Sequence, residues 1–397
     1  MRVGFDTVIC FRTTPLEVDP MGGNFADSSY NSEQLFNRYT LNSEMSFYLD
    51  MSEIAELLDA ELYNIQLGPR FDIYDVYNRE LKKLGKILFI IESWMLQDDY
   101  FSLIDLKLCN EECEIIVLAW DDYYQLNNML NLELANLYLT NDPRSINFLR
   151  EQLGVKAHFY ISTPCKKLIE IINQFPAPTE GRQYDIGCLM SFKHKNEYRS
   201  NLKTYLHKHF KNPFLGQATT TRLSTYNIEQ TLQEYLQIKV HLGNTSSAWG
   251  DKVKELSNKS TYYHPCKNPD CLKPSCSSSQ IQTPHYYQQH IMQRRIARCM
   301  KGVKDFLAPL LNVVLIYDDY YWNAIFYQDV FPLYEYNNFD TIKATYDEVT
   351  KDMETTTHIL TKQKEWVKKH SFFNQFKYII ENDQSPFFEH YKWFSIS

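Results

Sequence analysis

The sequence predicts an α/β protein with two parallel-sheet domains. Three features carry that expectation: short continuous apolar runs rich in β-branched residues, helical stretches between them, and a break in this rhythm near the middle of the 397-residue chain. Continuous apolar strands alternating with helices mark a parallel sheet covered on both faces. The length of 397 residues fits two domains of about 100–200 residues, each able to bury a core.

The runs come in order. Lys86-Ile-Leu-Phe-Ile-Ile91 reads as a buried strand ending at Glu92-Ser93-Trp94, and Glu114-Ile-Ile-Val-Leu-Ala119 as another ending at Trp120-Asp121-Asp122. Leu137-Tyr-Leu-Thr140 is a third; Asn141-Asp142-Pro143 then caps a helix carrying Ile146, Leu149 and Leu153. Ala157-His-Phe-Tyr-Ile161 is a fourth. The prolines and glycine between Phe175 and Arg182 break the pattern as a linker would. The alternation restarts with the strand Tyr184-Asp-Ile-Gly-Cys-Leu-Met190, a helix from about Glu197 to Phe210 and a strand at Ile238–Leu242. A helix over about His290 to Leu307 precedes the strand Val313–Tyr317, and Phe339 to Ile380 reads as helical. The first 80 residues show no clear period, and Phe25 to Asn42 reads as a surface insertion. In open parallel sheets, ligands sit outside the carboxyl ends of the strands, which makes Trp120-Asp121-Asp122, Asn141-Asp142 and Asp318-Asp319 the candidate cleft positions.

Composition narrows the function classes. The chain is 44% hydrophobic and 15% aromatic, which argues against a disordered or collagen-like chain. Its 12 glycines are about 3% of the residues against a usual value near 7%. That scarcity disfavours a glycine-rich phosphate loop, and no Walker loop, G-x-G-x-x-G or Ser-His-Asp order occurs. The net charge of -8 speaks against a nucleic-acid binder. Nine cysteines without framework spacing, several in apolar runs (Cys10, Cys113, Cys188), suggest a reducing compartment. With no leader-like start and no apolar run of about 18 residues, a cytoplasmic protein is expected.

Several segments resemble, in the right order, the CgeB-like (spore-maturation) group of GT-B glycosyltransferases. Leu118-Ala-Trp-Asp-Asp122 is similar to the group's apolar strand running into Trp/Phe-x-Asp-Asp, and Leu139-Thr-Asn-Asp142 to its T-x-D strand end. Tyr184–Met190 with Arg199 resembles the opening of the C-terminal domain. Lys304-Asp-Phe-Leu-Ala-Pro-Leu-Leu-Asn-Val-Val-Leu-Ile-Tyr-Asp318 is similar to R-D-F-E-x-P-x-x-G-G-x-x-L-x-E, and Phe326, Tyr334, Phe339 and His370-Ser-Phe372 resemble the C-terminal end. The resemblance covers about 110 to 375. It implies a GT-B fold: a Rossmann-like acceptor-side domain over 1–180, a Rossmann-like nucleotide-sugar domain over 181–365 with an insert at about 250–285, and a helix over 366–397 returning to the first domain. It implies transfer of a sugar from a nucleotide-activated donor (a UDP-, GDP- or dTDP-sugar) to a glycan, protein or small-molecule acceptor, with no divalent metal required.

Two departures stand out. The family acid falls on Leu307 and the glycine pair on Asn312-Val313. In the family, that acid binds the nucleotide ribose and the glycines admit the diphosphate to backbone N–H groups; Asp305, close by, is a possible substitute for the acid. A catalytically degenerate GT-B binding or scaffold protein is the alternative these departures raise, and a DNA-modifying glycosyltransferase is a further one that the charge opposes.

Displacement at a sugar C1 with a nucleoside diphosphate leaving requires a cation or helix N-terminus for the diphosphate and a carboxylate for the acceptor. Lys304 is the first candidate for the diphosphate, with Lys193 and Arg199 behind it. Asp121 and Asp122 are candidate bases or acceptor holders, with helix N-capping the rival role. Trp120, Asn141 and Asp142 are candidate acceptor contacts. Asp318, Asp319 and Tyr320 suit sugar hydroxyls and stacking, or an ordinary turn. Finally, His264, Cys266, Cys271 and Cys276 offer zinc-type ligands at loose spacing in a Pro- and Ser-rich loop; a structural zinc clip is one reading and a plain polar loop the other.

Overall fold

The computed structural model describes residues 4–13, 25–26, 43–67, 71–96, 101–119, 131–141, 143–175, 181–188, 197–215, 228–243, 303–319, 322–327, 329–336 and 338–391. The first part runs β1 (Thr7–Thr13), β2 (Phe25–Ala26), α1 (Ser43–Leu57), β3 (Glu61–Leu67), α2 (Ile73–Arg79), β4 (Ile87–Glu92), α3 (Leu103–Cys109), β5 (Glu114–Ala119), β6 (Leu137–Thr140), α4 (Pro143–Asn147, continued as a π-turn through Gln152), β7 (Ala157–Phe159) and α5 (Lys166–Asn173). The second runs β8 (Tyr184–Gly187), α6 (Glu197–His209), β9 (Pro213–Phe214), α7 (Ile228–Leu236), β10 (Ile238–Leu242), α8 (Val303–Leu310), β11 (Val314–Asp318) and α9 (Trp322–Tyr327). It closes with β12 (Leu333–Tyr334), α10 (Asp340–Val349), α11 (Met353–Lys369), α12 (Phe372–Asn382) and α13 (Phe388–Tyr391).

These strands form two sheets, so the α/β class with two parallel sheets is what the structure shows. The first has the order β2-β3-β1-β4-β5-β6-β7 and the second β12-β11-β10-β8-β9. Every pairing is parallel except β2 with β3. Strands β4, β5 and β6 are buried at every position, as their unbroken apolar sequences require. Alternate residues then serve opposite layers. Ile87, Phe89 and Ile91 pack with α2 and α3, whereas Leu88 and Ile90 join α1 and α5. Helix α3 starts on a reciprocal cap: Ser102 Oγ accepts from the Asp105 N–H, and the Asp105 carboxylate accepts from the Ser102 N–H.

The second sheet is built the same way. Ile186, Val240, Leu242 and Ile316 pack with α6 and α10. Leu315 and Tyr317 face a cluster that also holds β4 and β5 residues of the first sheet and Phe372, Phe376 and Ile379 of α12. The two sheets therefore share one core. Chain reversal is sealed by two buried amides. Gln363 of α11 both donates to and accepts from the Leu315 backbone, occupying the edge of β11 as a neighbouring strand would. Gln375 of α12 does the same to Ile161 and also donates to Thr163 Oγ1 and the His370 carbonyl.

At the amino edge of the second sheet, Arg182 holds the parts together. Its guanidinium donates to the carbonyls of Ile238 at 2.6 Å, Leu311 at 3.1 Å and Asn312 at 2.8 Å, with longer contacts to Tyr235 and Leu236. The C-terminal ends of α7 and α8 present unsatisfied carbonyls and negative dipole ends here, and a fixed cation answers both.

Several sequence boundaries move. The first 80 residues contribute β1, an interior strand of the first sheet between β3 and β4, and β3 beside it. Phe25-Ala26 is not wholly an insertion, since it pairs antiparallel with β3; residues 27–42 lie outside the described residues. The helix expected to end at Leu307 continues to Leu310 through Pro309, and the next strand is Val314–Asp318, one residue later than the sequence suggests. The strand at Ala157 stops at Phe159. The linker residues 176–180 lie outside the described residues. No described helix is long and apolar enough to cross a membrane.

Candidate functional site

Parallel sheets place their ligand crevice where successive connections leave a strand in opposite directions. In the first sheet β1 is flanked by β3 and β4, so the switch point lies at the carboxyl ends of β1 and β4. There the chain presents Glu92, a carboxylate closing an otherwise apolar strand and only 3% exposed. In the second sheet β8 is flanked by β9 and β10, and the switch point lies between β8 and β10. His241 stands there, in register with Gly187.

Two glycines shape this second crevice. A Cβ on Gly187 would come within 2.3 Å of Ile238 Cδ1, and one on Gly243 within 1.9 Å of the Tyr317 ring. The Ile238 side chain and the Tyr317 ring fill the space that a Cβ at these positions would take, so both pack directly on the glycine backbone. The Gly243 carbonyl accepts from Tyr334 Oη at 3.1 Å.

Asp305, in the first turn of α8, reaches down to this floor. His241 Nε2 lies 2.9 Å from Asp305 Oδ1, and Tyr317 Oη donates to Asp305 Oδ2 at 3.3 Å. The Tyr235 ring packs edge-on against the imidazole at 5.1 Å. All four side chains are buried. Burial and the charge of Asp305 drive the Tyr235 phenol well above its usual pKa. Both Asp305 oxygens are engaged, which leaves the expectation that Asp305 takes over from the missing family acid without a free carboxylate to support it.

The other sequence candidates divide. Asp318 is buried at the end of β11, where Asn323 Nδ2 donates to its carboxylate at 2.9 Å and to its carbonyl at 3.0 Å. The exposed Asp319 accepts from the Tyr336 N–H at 2.9 Å. Both carboxylates thus hold the turn beyond β11, the structural alternative the sequence left open. Asn141 closes β6 at the carboxyl edge of the first sheet and is nearly buried, and Arg199 is buried in the first turn of α6. Lys304 occupies the first turn of α8, on the same edge as His241. Trp120, Asp121, Asp122, Asp142, Lys193, Tyr320 and the zinc-type set His264, Cys266, Cys271 and Cys276 lie outside the described residues. Among the described residues no cluster of His, Cys, Asp and Glu is arranged to hold a metal.

One expectation is corrected. Asn312-Val313, aligned with the family's diphosphate-side glycines, sits in the turn between α8 and β11. A helix returning to the start of a parallel strand ends at the amino edge, opposite the strand ends where ligands bind. Asn312 has φ 60°, the left-handed conformation that ends many helices and that Asn tolerates best after glycine. Its carboxamide accepts from Lys364, and Val313 and Leu307 are core residues. The departure from glycine here is answered by backbone geometry alone.

Sequence patterns single out neither Glu92 nor His241. Glu92 carries a weak signal, an acid ending a strand of six buried residues. His241 carries none, because its importance depends on strand order.

No protein-family model matches the chain, and no curated protein matches it. Among solved structures, it is similar to a trehalose-6-phosphate protein from E. coli bound with UDP-2-fluoro glucose, at 9% identity over 95% of this chain and 98% of that one, TM-score 0.48. It is also similar to sucrose-phosphate synthase from Thermosynechococcus elongatus (9% identity, 99% and 100% covered, TM-score 0.44). A third is the pneumococcal O-GlcNAc transferase GtfA in complex with UDP and GlcNAc (9% identity, 80% and 60% covered, TM-score 0.35). At these values the likenesses assign no residue, substrate or family to this chain.

Proposed function

We propose that the chain is a GT-B glycosyltransferase of the CgeB-like kind, moving a sugar from a nucleotide-activated donor to an acceptor without a divalent metal. The carrying observation is the meeting of the two carboxyl edges. Phe159, the last residue of β7, stacks on Phe326 of α9, the helix that follows β11, with ring centroids 5.0 Å apart. Two parallel sheets joined at their ligand-binding edges suit a reaction between two substrates, one held by each. In this reading residues 1–180 hold the acceptor, 181–365 the nucleotide sugar, and 366–397 close back on the first sheet.

The residue roles follow from the chemistry. The acceptor hydroxyl oxygen bonds to sugar C1 while the C1–O bond to the diphosphate breaks, and the electron pair leaves on a phosphate oxygen. The hydroxyl proton goes to a carboxylate, for which Asp121 or Asp122 is the assignment, with Trp120, Asn141 and Asp142 beside the acceptor. Lys304, at the start of α8, and Arg199 and Lys193, following β8, meet the developing phosphate charge. Asp305, Asp318 and Asp319 position the edge instead of touching the donor.

The buried Leu307 favours one second reading. An apolar side chain in the shared core cannot accept from a ribose hydroxyl, which suits a degenerate GT-B protein that binds without turnover. Thermal denaturation with UDP, GDP, dTDP and their sugars tests both. A rise in Tm with a nucleotide sugar supports a donor site; no shift with any of them contradicts both readings.

A further inference from the structure

Exposed helices of this chain balance their lysines with acids one turn away. Lys166–Glu170 on α5, Lys343–Asp347 on α10 and Lys377–Glu381 on α12 are such pairs. Helix α6 is different. Leu202, Leu206 and Phe210 are buried on its inner side, while Lys203, His207 and Lys208 are exposed, as is Lys211 just past the helix end. The residues four positions before Lys203, Lys208 and Lys211 are Arg199, Thr204 and His207, so no acid answers them from the preceding turn. None of the three lysines has an ion-pair partner among the described residues. The imbalance extends along the sequence: between Glu197 and Glu229 there is no acidic residue, in a protein of net charge -8.

The fold keeps this face clear of acids. Tyr205 and His209 stack at 4.2 Å on the flank toward α10, where Tyr205 meets Phe339. Asp340 and Asp347, the α10 carboxylates that act on Tyr205, belong to that flank. The lysines take the rest of the outer arc, and α6 leads into β9, the outermost strand of the second sheet. The negative end of the helix dipole accounts for Lys208 and Lys211 but not for Lys203, which lies more than a turn earlier.

We propose that this face of α6 is a docking surface for an anionic phospholipid bilayer. Three lysines on one convex side suit a plane of charged headgroups, because each is a compact, hydrated charge that needs no fixed partner geometry. Among the described residues the face offers no arginine fork and no exposed aromatic ring, the groups that read or stack nucleic-acid bases. Ser200, Asn201 and Thr204 between the lysines are exposed and polar, so attachment is electrostatic and reversible, without insertion into the acyl layer. The docking is independent of the glycosyltransferase reading.

Co-sedimentation of the full chain with vesicles tests it, using phosphatidylcholine alone and equal parts phosphatidylcholine and phosphatidylserine. The chain should sediment with the mixed vesicles only, and high salt should release it. Each of Lys203→Ala, Lys208→Ala and Lys211→Ala should weaken partitioning about fivefold, and the three together about a hundredfold. Lys166→Ala and Lys377→Ala, on other helices, should bind as wild type. Replacing all three lysines by arginine should keep binding, which decides the matter should the triple alanine variant fail to fold. The proposal is overturned if the wild type does not sediment with mixed vesicles, if it sediments equally with phosphatidylcholine, or if the folded triple alanine variant binds as wild type. Loss of binding in the triple arginine variant overturns it too. Displacement of the wild type from vesicles by a random-sequence DNA duplex, with no duplex binding by the triple alanine variant, would assign the face to nucleic acid and overturn the lipid assignment.

Discussion

The imidazole of His158 on β7 donates from Nε2 to the Asp383 carboxylate, 2.9 Å away and 225 residues later in the chain. Asp383 ends α12 in the left-handed conformation, and Lys156 adds an ion pair to it at 2.6 Å. From the other side Arg150 donates to His158 Nδ1 at 2.9 Å. The last long helix is thus fastened to the last strand of the first sheet through a neutral histidine.

That neutrality sets an acid limit on stability. Burial first, then the charges of Arg150 and Lys156, lower the His158 pKa to about 4; burial, Lys369 and His390 lower His370 to about 4 as well. An unfolded histidine titrates near 6.5. Between those values the unfolded chain binds more protons than the folded one, so stability falls as pH drops from about 6.5 toward 4. Asp383, whose pKa is lowered chiefly by Lys156 and His158 against the opposing effect of burial, adds a loss of the same sign at lower pH. Thermal denaturation at pH 8, 6.5, 5.5 and 4.5 should show a plateau followed by a decline. His158→Gln should make the decline shallower, and an unchanged profile would contradict the neutral pairing.

The Phe159–Phe326 stack predicts coupling between the sheets. Both rings are buried, and Phe387 lies edge-on to each. Phe326→Ala should lower stability by about 3–5 kcal/mol, the usual range for deleting a buried ring. Because one core serves both sheets, urea unfolding of the wild type should give coincident curves by fluorescence and circular dichroism. Separate transitions in the wild type would mean that the sheets fold as independent units.

Asn312 distinguishes the amino edge from the ligand edge. Asn312→Ala should destabilise by about 1–2 kcal/mol, because its φ is positive. Asn312→Gly should be nearly neutral. Neither should change nucleotide affinity. An affinity loss in the glycine variant would return these residues to the donor site.

Much of this fold was legible because buried parallel strands write themselves as apolar runs. The segments at Ile87, Glu114, Leu137 and Val314 became β4, β5, β6 and β11 with shifts of a residue or so. In the first sheet, β3 is hard to read because polar residues interrupt it, as in Glu61-Leu-Tyr-Asn-Ile-Gln-Leu67, and β1 offers an apolar run of only four residues, Val8-Ile-Cys-Phe11. Of the candidate site, the strand-end acids were legible as positions but not as partners. Asp305 and Asp318 look alike in sequence, yet each is committed to a buried neighbour that only the tertiary structure supplies. His241 illustrates the limit most clearly. A lone histidine in an apolar strand acquires meaning from Gly187, opposite it in the sheet and far from it in the chain.

The most direct test of the glycosyltransferase account is nucleoside diphosphate release from UDP-, GDP- and dTDP-sugars, followed with and without EDTA. Slow release from one donor class, undiminished by EDTA and abolished when Asp121 and Asp122 are both changed to Asn, is the expected result. No release from any donor, with or without a panel of glycan acceptors, would contradict it.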